Sequence, residues 1–270
     1  MTRNKSERQQ LVLDYLERFG AISLQELTEK FECSEATARR DLEELEKTGR
    51  LIRTMGGGAK YGSGGVREVS FHEKQSELYP EKEAIAEKAA SLVSEGDVVG
   101  LTGGSTTFMI ARALKKKRNL TIVTNAVNIA MELADSESLQ VVLTGGVLRG
   151  NSFELCGPLA EQAVQSLNIH KMFMGVDGVA VHGVSTYSEL EANIAKRLME
   201  RSGETIAVFD HTKIGKPSLF HVASLSELKA CITDGAPGPE LGEALMSANV
   251  DVYRASPSAA GSTGEKEGQG

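Results

Sequence analysis

Short apolar runs alternate with amphipathic helical patterns from residue 81 onward, and this alternation constrains the fold of the 270-residue chain more than any other feature. Parallel strands need a crossover connection, which a helix supplies, so strands that alternate with helices form a mainly parallel sheet covered on both faces. We therefore predict an α/β domain over 81–253. Its predicted strands span residues 98–101, 121–123, 141–143, 172–176, 206–209 and 231–233.

The ends of these strands are rich in glycine and polar residues. Ligands of open α/β sheets bind at the carboxyl ends of the strands, because connecting loops and helix N-termini converge there. The sequence Leu-Thr-Gly-Gly occurs at two such ends, 101–104 and 143–146. After the first, Ser105, Thr106 and Thr107 begin a helical pattern, which predicts an anion site of backbone N–H groups, hydroxyls and a helix dipole. A glycine turn followed by an ordinary helix cap is the alternative.

Three short amphipathic helices are predicted in the first 60 residues. The first ends near Gly20, the second begins with a capping box of Ser23 and Glu26, and the third follows Ser34. Two short helices joined by a tight turn form a helix-turn-helix. The apolar stripes of the three helices consist of Val12, Tyr15, Leu16, Phe19, Leu24, Leu27, Phe31, Ala38, Leu42 and Leu45.

The third helix has an outward face that suits the reading of DNA. At about 100° per residue, its apolar stripe leaves Ala36, Thr37 and Arg40 facing outward. Arginine binds guanine in the major groove, and the extended piece with a glycine turn at 51–58 is typical of a wing on the phosphate backbone. A dimerisation or protein-binding module is the alternative. The predicted DNA-binding residues are Ser34, Glu35, Ala36, Thr37, Arg39, Arg40 and Arg53.

Charge, cysteine content and hydropathy narrow the class of protein. The net charge is −7, but the first 60 residues hold 11 Lys and Arg against 11 Asp and Glu, so a polyanion is expected to bind there. Cys33, Cys156 and Cys231 lie far apart, which predicts neither a disulfide framework nor a zinc site, and we expect no metal and no cofactor. No apolar stretch approaches the roughly 20 residues of a membrane span, so we expect a cytoplasmic protein.

Nine sequence blocks carry a shared pattern: 37–46, 49–51, 53–59, 121–125, 128–130, 142–149, 156–158, 175–178 and 209–213. Together they resemble the DeoR family of bacterial transcription regulators, and the resemblance covers about residues 5–235. It implies a winged helix-turn-helix that binds operator DNA. It also implies an effector domain that senses phosphorylated sugars and is similar in fold to ribose-phosphate isomerases and glucosamine-phosphate deaminases.

The resemblance also implies roles for individual residues. It places the phosphate at 105–107 and the sugar end at Asn125, Asp177 and Lys213. Members of the family commonly carry Asp where this chain has Thr102. The predicted effector-binding residues are Gly103, Gly104, Ser105, Thr106, Thr107, Asn125, Gly145, Gly146, Asp177, Lys196 and Lys213.

Together these patterns predict a homo-oligomeric repressor of a sugar-catabolic operon that a phosphorylated sugar releases from DNA. The alternative is a sugar-phosphate isomerase or deaminase with an appended DNA-binding domain, but Asp177 lacks the nearby second carboxylate that acid–base chemistry would use. A scaffold for protein partners would leave the polar strand ends without a role. The predicted organisation is a DNA-binding domain at 1–60, a linker at 61–80, the effector domain at 81–253 and a disordered tail at 254–270.

Overall fold

The computed structural model describes residues 5–19, 21–47, 51–54, 56–61 and 69–256. The chain divides into two compact units, Met1–Arg67 and Glu68–Gly270. In the part of the chain that the structure describes, no helix is long and apolar enough to cross a membrane. Some predictions fall outside the described residues: the helix end near Gly20, the part of the predicted linker at 62–68, and the tail from 257 onward.

The first unit is a winged helix-turn-helix, as predicted. Its second helix begins at the predicted capping box, in which the Ser23 hydroxyl accepts from the Glu26 N–H and the Glu26 carboxylate accepts from the Ser23 N–H. The three strands form one antiparallel sheet in the order β1-β3-β2. The elements are α1 (Lys5–Phe19), β1 (Ala21–Ile22), α2 (Leu24–Phe31), α3 (Glu35–Lys47), β2 (Leu51–Arg53) and β3 (Ala59–Tyr61).

The core of this unit follows the predicted apolar stripes, with one difference. Leu16, Leu27, Ala38 and Leu42 are fully buried between the three helices. Phe19, which was expected on the buried stripe of α1, is 58% exposed. Its ring centroid lies 4.5 Å from that of Tyr15, so it covers another aromatic side chain at the surface rather than the core.

A buried ion pair, which the sequence patterns did not predict, joins α1 to α3. Arg8 Nε lies 2.6 Å from Asp41 Oδ2, and both side chains are almost excluded from solvent. Gln9 Nε2 donates to the other oxygen of the same carboxylate at 3.3 Å. The pair therefore fixes the first helix to the helix predicted to read DNA.

The second unit is built on a seven-stranded, wholly parallel sheet in the order β15-β14-β12-β9-β4-β5-β6, which confirms the predicted α/β domain. Its strands are β4 (Val98–Leu101), β5 (Leu120–Thr124), β6 (Leu139–Leu143), β9 (Ile169–Gly175), β12 (Ser202–Val208), β14 (Ala230–Thr233) and β15 (Asp251–Arg254). Its helices are α4 (Phe71–Ser76), α5 (Tyr79–Ser91), α6 (Ser105–Leu114), α7 (Val127–Leu133), α8 (Pro158–Val164), α9 (Glu189–Glu200) and α10 (Pro239–Ser247).

Helices cover both faces of this sheet because alternate strand residues point to opposite sides. In β12, Ile206 and Val208 pack into the core formed with α5, α6 and α7. Ala207 packs into the other core, formed with α8, α9 and α10. The near-continuous apolar strands of the sequence thus reflect burial on two sides.

Two small antiparallel sheets, which were not predicted, extend the unit. One has the order β10-β11-β13, and the other is the hairpin β7-β8. Both follow the carboxyl ends of strands of the main sheet, where they add walls to the region in which a ligand site was expected. The strands are β7 (Val147–Arg149), β8 (Glu154–Cys156), β10 (Gly178–Ala180), β11 (Gly183–Thr186) and β13 (Phe220–Ala223).

The predicted linker and tail differ from the structure at their inner ends. Within the linker predicted at 61–80, Ser70 and Glu73 form a capping box that starts α4, and Phe71 is buried against Phe108. Residues from 69 onward therefore belong to the second unit. The tail was predicted to begin at 254, but β15 includes that residue and pairs with β14, and Ala255 is buried.

Candidate functional site

The N-terminal end of α3 presents the face that was predicted to meet DNA. Ser34, Glu35, Ala36, Arg39 and Arg40 are exposed, and Thr37 is half-buried. The Ser34 hydroxyl accepts from the Thr37 N–H at 3.3 Å and caps the helix. Among the described residues, Arg40 has no ion-pair or hydrogen-bond partner, so its guanidinium is available to a ligand.

The wing lies beside the same helix. A Cβ added to Gly57, in the turn between β2 and β3, would lie 3.3 Å from Arg39 Nη1. Arg53, the predicted wing contact, donates to the Glu43 carboxylate at 3.2 Å, and its N–H donates to Glu46. A phosphate contact from Arg53 would therefore replace its carboxylate partner with a phosphate oxygen, whereas Arg40 has no carboxylate partner among the residues that the structure describes.

A polar cavity opens at the carboxyl ends of β4 and β9 in the second unit. Its volume of about 120 Å³ is several times the space that one water molecule needs, so it has room for a small ligand. Six of the predicted effector-binding residues line it: Gly103, Gly104, Ser105, Thr106, Asp177 and Lys213. Polar residues that were not predicted as contacts line it too: Lys74, Glu77, Lys82, Thr102, Ser152, Glu154, Thr186, Glu191, Asp210 and Thr212.

The loop before α6 forms one wall of the cavity. Gly104 has a φ of +126° at the N-cap position, a backbone conformation that favours glycine. Thr102 stands where the family commonly has Asp, and its hydroxyl accepts from the Gly175 N–H at 3.0 Å. This bond fixes the end of β4 to the end of β9. The free N–H groups at the start of α6 then face the cavity together with the side chains of Ser105 and Thr106.

Five predicted effector contacts do not line this cavity. Thr107 is fully buried, and its hydroxyl donates to the Gly104 carbonyl at 2.9 Å. Asn125 is also buried, and it donates to a cavity residue, Glu154. Gly145 and Gly146 follow β6 at the edge of the sheet, and Lys196 is half-buried on α9.

The Asp177 carboxylate accepts three hydrogen bonds at one side of the cavity. It accepts from Lys74 Nζ at 2.6 Å, and from the Thr186 hydroxyl and the Tyr187 N–H at 3.0 Å each. Burial acts to raise the pKa of Asp177, but the charge and hydrogen bond of Lys74, the Tyr187 N–H and the charge of Lys213 together hold that pKa below its usual value. Burial likewise acts to lower the pKa of Lys74, and Asp177 holds it above its usual value. The two groups therefore form a stable ion pair at neutral pH.

Glu154 and Glu191 complete an acidic side of the cavity. Glu191 is paired with Arg149 at 3.3 Å, and its Oε2 lies 3.2 Å from the Thr186 hydroxyl, which shares its one proton between Glu191 and Asp177. Glu154 accepts from Asn125 Nδ2 at 2.8 Å. Burial, followed by the charge of Glu191, raises the pKa of Glu154 to about 8.

Lys82 links the start of α5 to the end of α4. Its ammonium donates to the carbonyls of Lys74 and Glu77, and burial lowers its pKa. Sequence reasoning missed Lys74 because α4 was assigned to the linker, whereas Lys82 lies on α5 inside the predicted domain and no local pattern marked it. The capping box of Ser70 and Glu73 is the local signal that could have found α4.

A helix-turn-helix with an exposed arginine, together with an α/β unit that holds a polar cavity, is the arrangement typical of a ligand-sensing transcription regulator. Residues 8–62 match the DeoR-like helix-turn-helix domain, and residues 77–235 match the DeoR C terminal sensor domain. The chain belongs to the DeoR family of transcriptional regulators.

Individual relatives agree with this assignment. The HTH-type transcriptional regulator YulB of Bacillus subtilis is 36% identical over 92% of this chain and 95% of its own length. The lactose phosphotransferase system repressor of Streptococcus mutans is 34% identical over 85% of this chain and 92% of its own length. Because the family and these relatives are regulators, the alternative of an isomerase or deaminase is not supported.

A solved ribose 5-phosphate isomerase from Methanocaldococcus jannaschii aligns with part of the chain. The alignment covers 49% of this chain and 52% of that chain, with 17% sequence identity and a TM-score of 0.34.

Within the described residues, no group of three or more His, Cys, Asp or Glu side chains is arranged to hold a metal ion.

Proposed function

We propose that this protein represses a sugar-catabolic operon and leaves its operator when a phosphorylated sugar occupies the cavity. The observation that carries the proposal is the composition of that cavity, which has helix N–H groups and hydroxyls on one wall and carboxylates on another. The relative named as a lactose phosphotransferase system repressor supports a link to sugar metabolism.

The proposed phosphate site is the loop at 103–106. The N-terminus of a helix attracts an anion through its free N–H groups and its dipole. Ser105 and Thr106 add hydroxyl donors. Lys213, which lines the same cavity, adds a cation. These are the donor types that a phosphate monoester needs.

The proposed sugar site is the side formed by Asp177, Thr186 and Glu191. Ionised carboxylates only accept hydrogen bonds, and sugar hydroxyls donate them readily. Lys74 already occupies one oxygen of Asp177 in this structure. A sugar that binds Asp177 would therefore share that carboxylate with Lys74 or displace it.

This competition gives a route for regulation. Lys74 lies on α4, only a few residues along the chain from the end of the DNA-binding unit. A ligand shifts a conformational equilibrium only by its differential affinity for the two states. A sugar that loosens the bond between Lys74 and Asp177 would favour the state in which α4 is released, and it would bind that state more tightly.

We also propose that the active regulator is a homo-oligomer. A single small helix-turn-helix buries too little surface for tight specific binding, and paired units on repeated half-sites solve this problem. Symmetry of the protein would then be matched by symmetry of the operator.

Fluorescence anisotropy of the full chain on DNA from upstream of its own gene tests the proposed function. The salt concentration is held constant, because phosphate contacts make DNA affinity steeply salt-dependent. We expect tight binding that one member of a panel of sugar phosphates weakens, while the unphosphorylated sugars have no effect. Specific binding that no sugar phosphate changes would contradict release by such an effector, and turnover of a sugar phosphate without specific DNA binding would restore the enzyme alternative.

Arg40→Ala tests the predicted DNA-reading face. We expect the variant to lose about 1–3 kcal/mol of specific operator binding if Arg40 contacts a base. Arg118→Ala is the matched control, because it removes an exposed arginine from the second unit. Anisotropy at several salt concentrations separates the two kinds of contact: loss of a phosphate contact reduces the salt slope by about one and affects all sequences alike. Unchanged operator affinity would remove Arg40 from the interface.

A further inference from the structure

We propose that Glu154 acts as a neutral carboxylic acid in the cavity wall and donates a hydrogen bond to the anionic group of the effector. The inference rests on the proposed function, since it assumes that the loop before α6 binds that group. Glu154 lies on β8, and no sequence pattern placed this residue in the site. The inference therefore adds a contact to the proposed effector site. It also makes effector binding depend on pH.

The position of Glu154 is the first argument. A Cβ on Gly103 would lie well inside the van der Waals radii of Glu154 Cγ, Cδ and Oε1. The carboxyl group therefore lies directly on the loop that is proposed to hold the phosphate. Glu154 is 6% exposed, and it lines the cavity together with Gly104 and Ser105.

The hydrogen bonds of Glu154 are the second argument. Asn125 Nδ2 donates to Oε2 at 2.8 Å and also to the Leu155 carbonyl at 3.3 Å, so one carboxyl oxygen is held in place. Among the described residues, Oε1 has no hydrogen-bond partner, and it lies beside Gly103. An acid group that is fixed by one oxygen presents the other to a ligand.

A neighbouring residue points the same way. Ser152 lines the cavity, and its buried hydroxyl oxygen has no hydrogen-bond partner in the part of the chain that the structure describes. Buried polar groups are normally hydrogen-bonded, and those left without a protein partner are candidates for ligand contacts. Ser152 and Glu154 therefore each bring to the cavity a polar oxygen that has no partner among the described residues.

The charges around Glu154 explain why it stays neutral. Lys74 from α4 is already bonded to Asp177 at the end of β9, and Glu191 from α9 is paired with Arg149. The loops after β4 and β5 contribute an amide and hydroxyls there but no charged group. The carboxylates of Asp177 and Glu191 thus lie near Glu154, and no cation among the described residues forms an ion pair with Glu154. Burial and the charge of Glu191 raise the pKa of Glu154 to about 8.

The sign of the pH effect follows from this arrangement. Below a pH of about 8, the protonated acid donates to an anion oxygen, and the proton strengthens binding. As the pH rises through that value, the acid ionises, and its negative charge repels the bound anion. Anion affinity should therefore be highest at neutral pH and fall on the alkaline side.

Calorimetric titration with sulfate tests the inference in the full chain. Sulfate is a suitable probe because it stays a dianion between about pH 6.5 and 9.5, so that pH changes act only on protein groups. We expect its dissociation constant for the unmodified protein to rise about tenfold or more over this range. Glu154→Gln stays neutral and retains an acceptor for Asn125, so it should show only the smaller rise that lysine titration causes in both proteins.

Each outcome bears on a different claim. If both proteins bind sulfate with the same pH profile, Glu154 does not donate a hydrogen bond to the anion. The proposed phosphate site at 103–106 would then bind the anion without Glu154. If neither binds sulfate at any pH, the anion site and the proposed effector site both fail.

A second measurement does not depend on the folding of the variant. In ¹³C NMR of the unmodified protein labelled at glutamate carboxyl carbons, one carboxyl should titrate near pH 8, and sulfate should raise its pKa, because the anion stabilises the neutral form. If every glutamate titrates below about pH 6, the inference is overturned.

Discussion

Asp41→Ala should destabilise the DNA-binding unit by about 3–5 kcal/mol, the usual result of removing one partner of a buried ion pair. The Asp41 carboxylate accepts from Arg8 Nε at 2.6 Å and from Gln9 Nε2 at 3.3 Å. Its removal leaves a buried guanidinium in an apolar core without this counter-charge. Because the bond joins α1 to α3, the loss should loosen the helix that is predicted to meet DNA.

Hydrogen exchange of the full-length protein measures this effect where it occurs. Amides of α1 and α3 should lose protection in the Asp41 variant, while amides of the seven-stranded sheet keep theirs. Asp14→Ala is the matched control, because Asp14 is exposed on α1 and should change stability by no more than about 0.5 kcal/mol. Equal protection of α1 and α3 in both variants would mean that the ion pair contributes little to the unit.

Features of the fold that depend on local chemistry could be predicted from the sequence. The capping box at Ser23 and Glu26 satisfies its own backbone donors, so it starts a helix wherever the chain places it. The stripe through Ala38 and Leu42 is buried because its spacing matches the helical period. The parallel sheet follows in the same way from the alternation of strands and helices.

Features that join distant parts of the chain could not be predicted in this way. Lys74 and Asp177 are 103 residues apart in sequence, and Arg8 and Asp41 are 33 apart. Neither pair leaves a local pattern, because the fold alone brings its members together. Glu154 was missed for the same reason: its pKa and its proposed role depend on Asn125 and Glu191, which come from other elements.

The repeated Leu-Thr-Gly-Gly sequence shows where local reasoning stops. Both copies follow a strand, but β4 lies inside the sheet and β6 lies at its edge. The glycines after β4 line the cavity, whereas Gly146 packs closely against Cys156 and Ala160. Identical residues therefore occupy different environments, and the order of strands in the sheet decides which copy lies at a candidate ligand site.

Gly103→Ala should abolish most of the response to the effector while operator binding is kept. The added methyl group would overlap Glu154, which is buried and held by Asn125, so the carboxyl group or the loop must move. Overpacking of this kind costs about 1–3 kcal/mol. If the whole cost falls on the bound state, the concentration of sugar phosphate needed for release rises by roughly ten- to a hundredfold.

Gly150→Ala is the matched control, because its added Cβ would meet no atom within 4 Å. Anisotropy on operator DNA should show the same affinity for both variants and the unmodified protein when no effector is present. The Gly103 variant should then stay on DNA at effector concentrations that release the control. Normal release of the Gly103 variant would place the effector elsewhere in the protein, because no ligand could use this loop unchanged after its wall has moved.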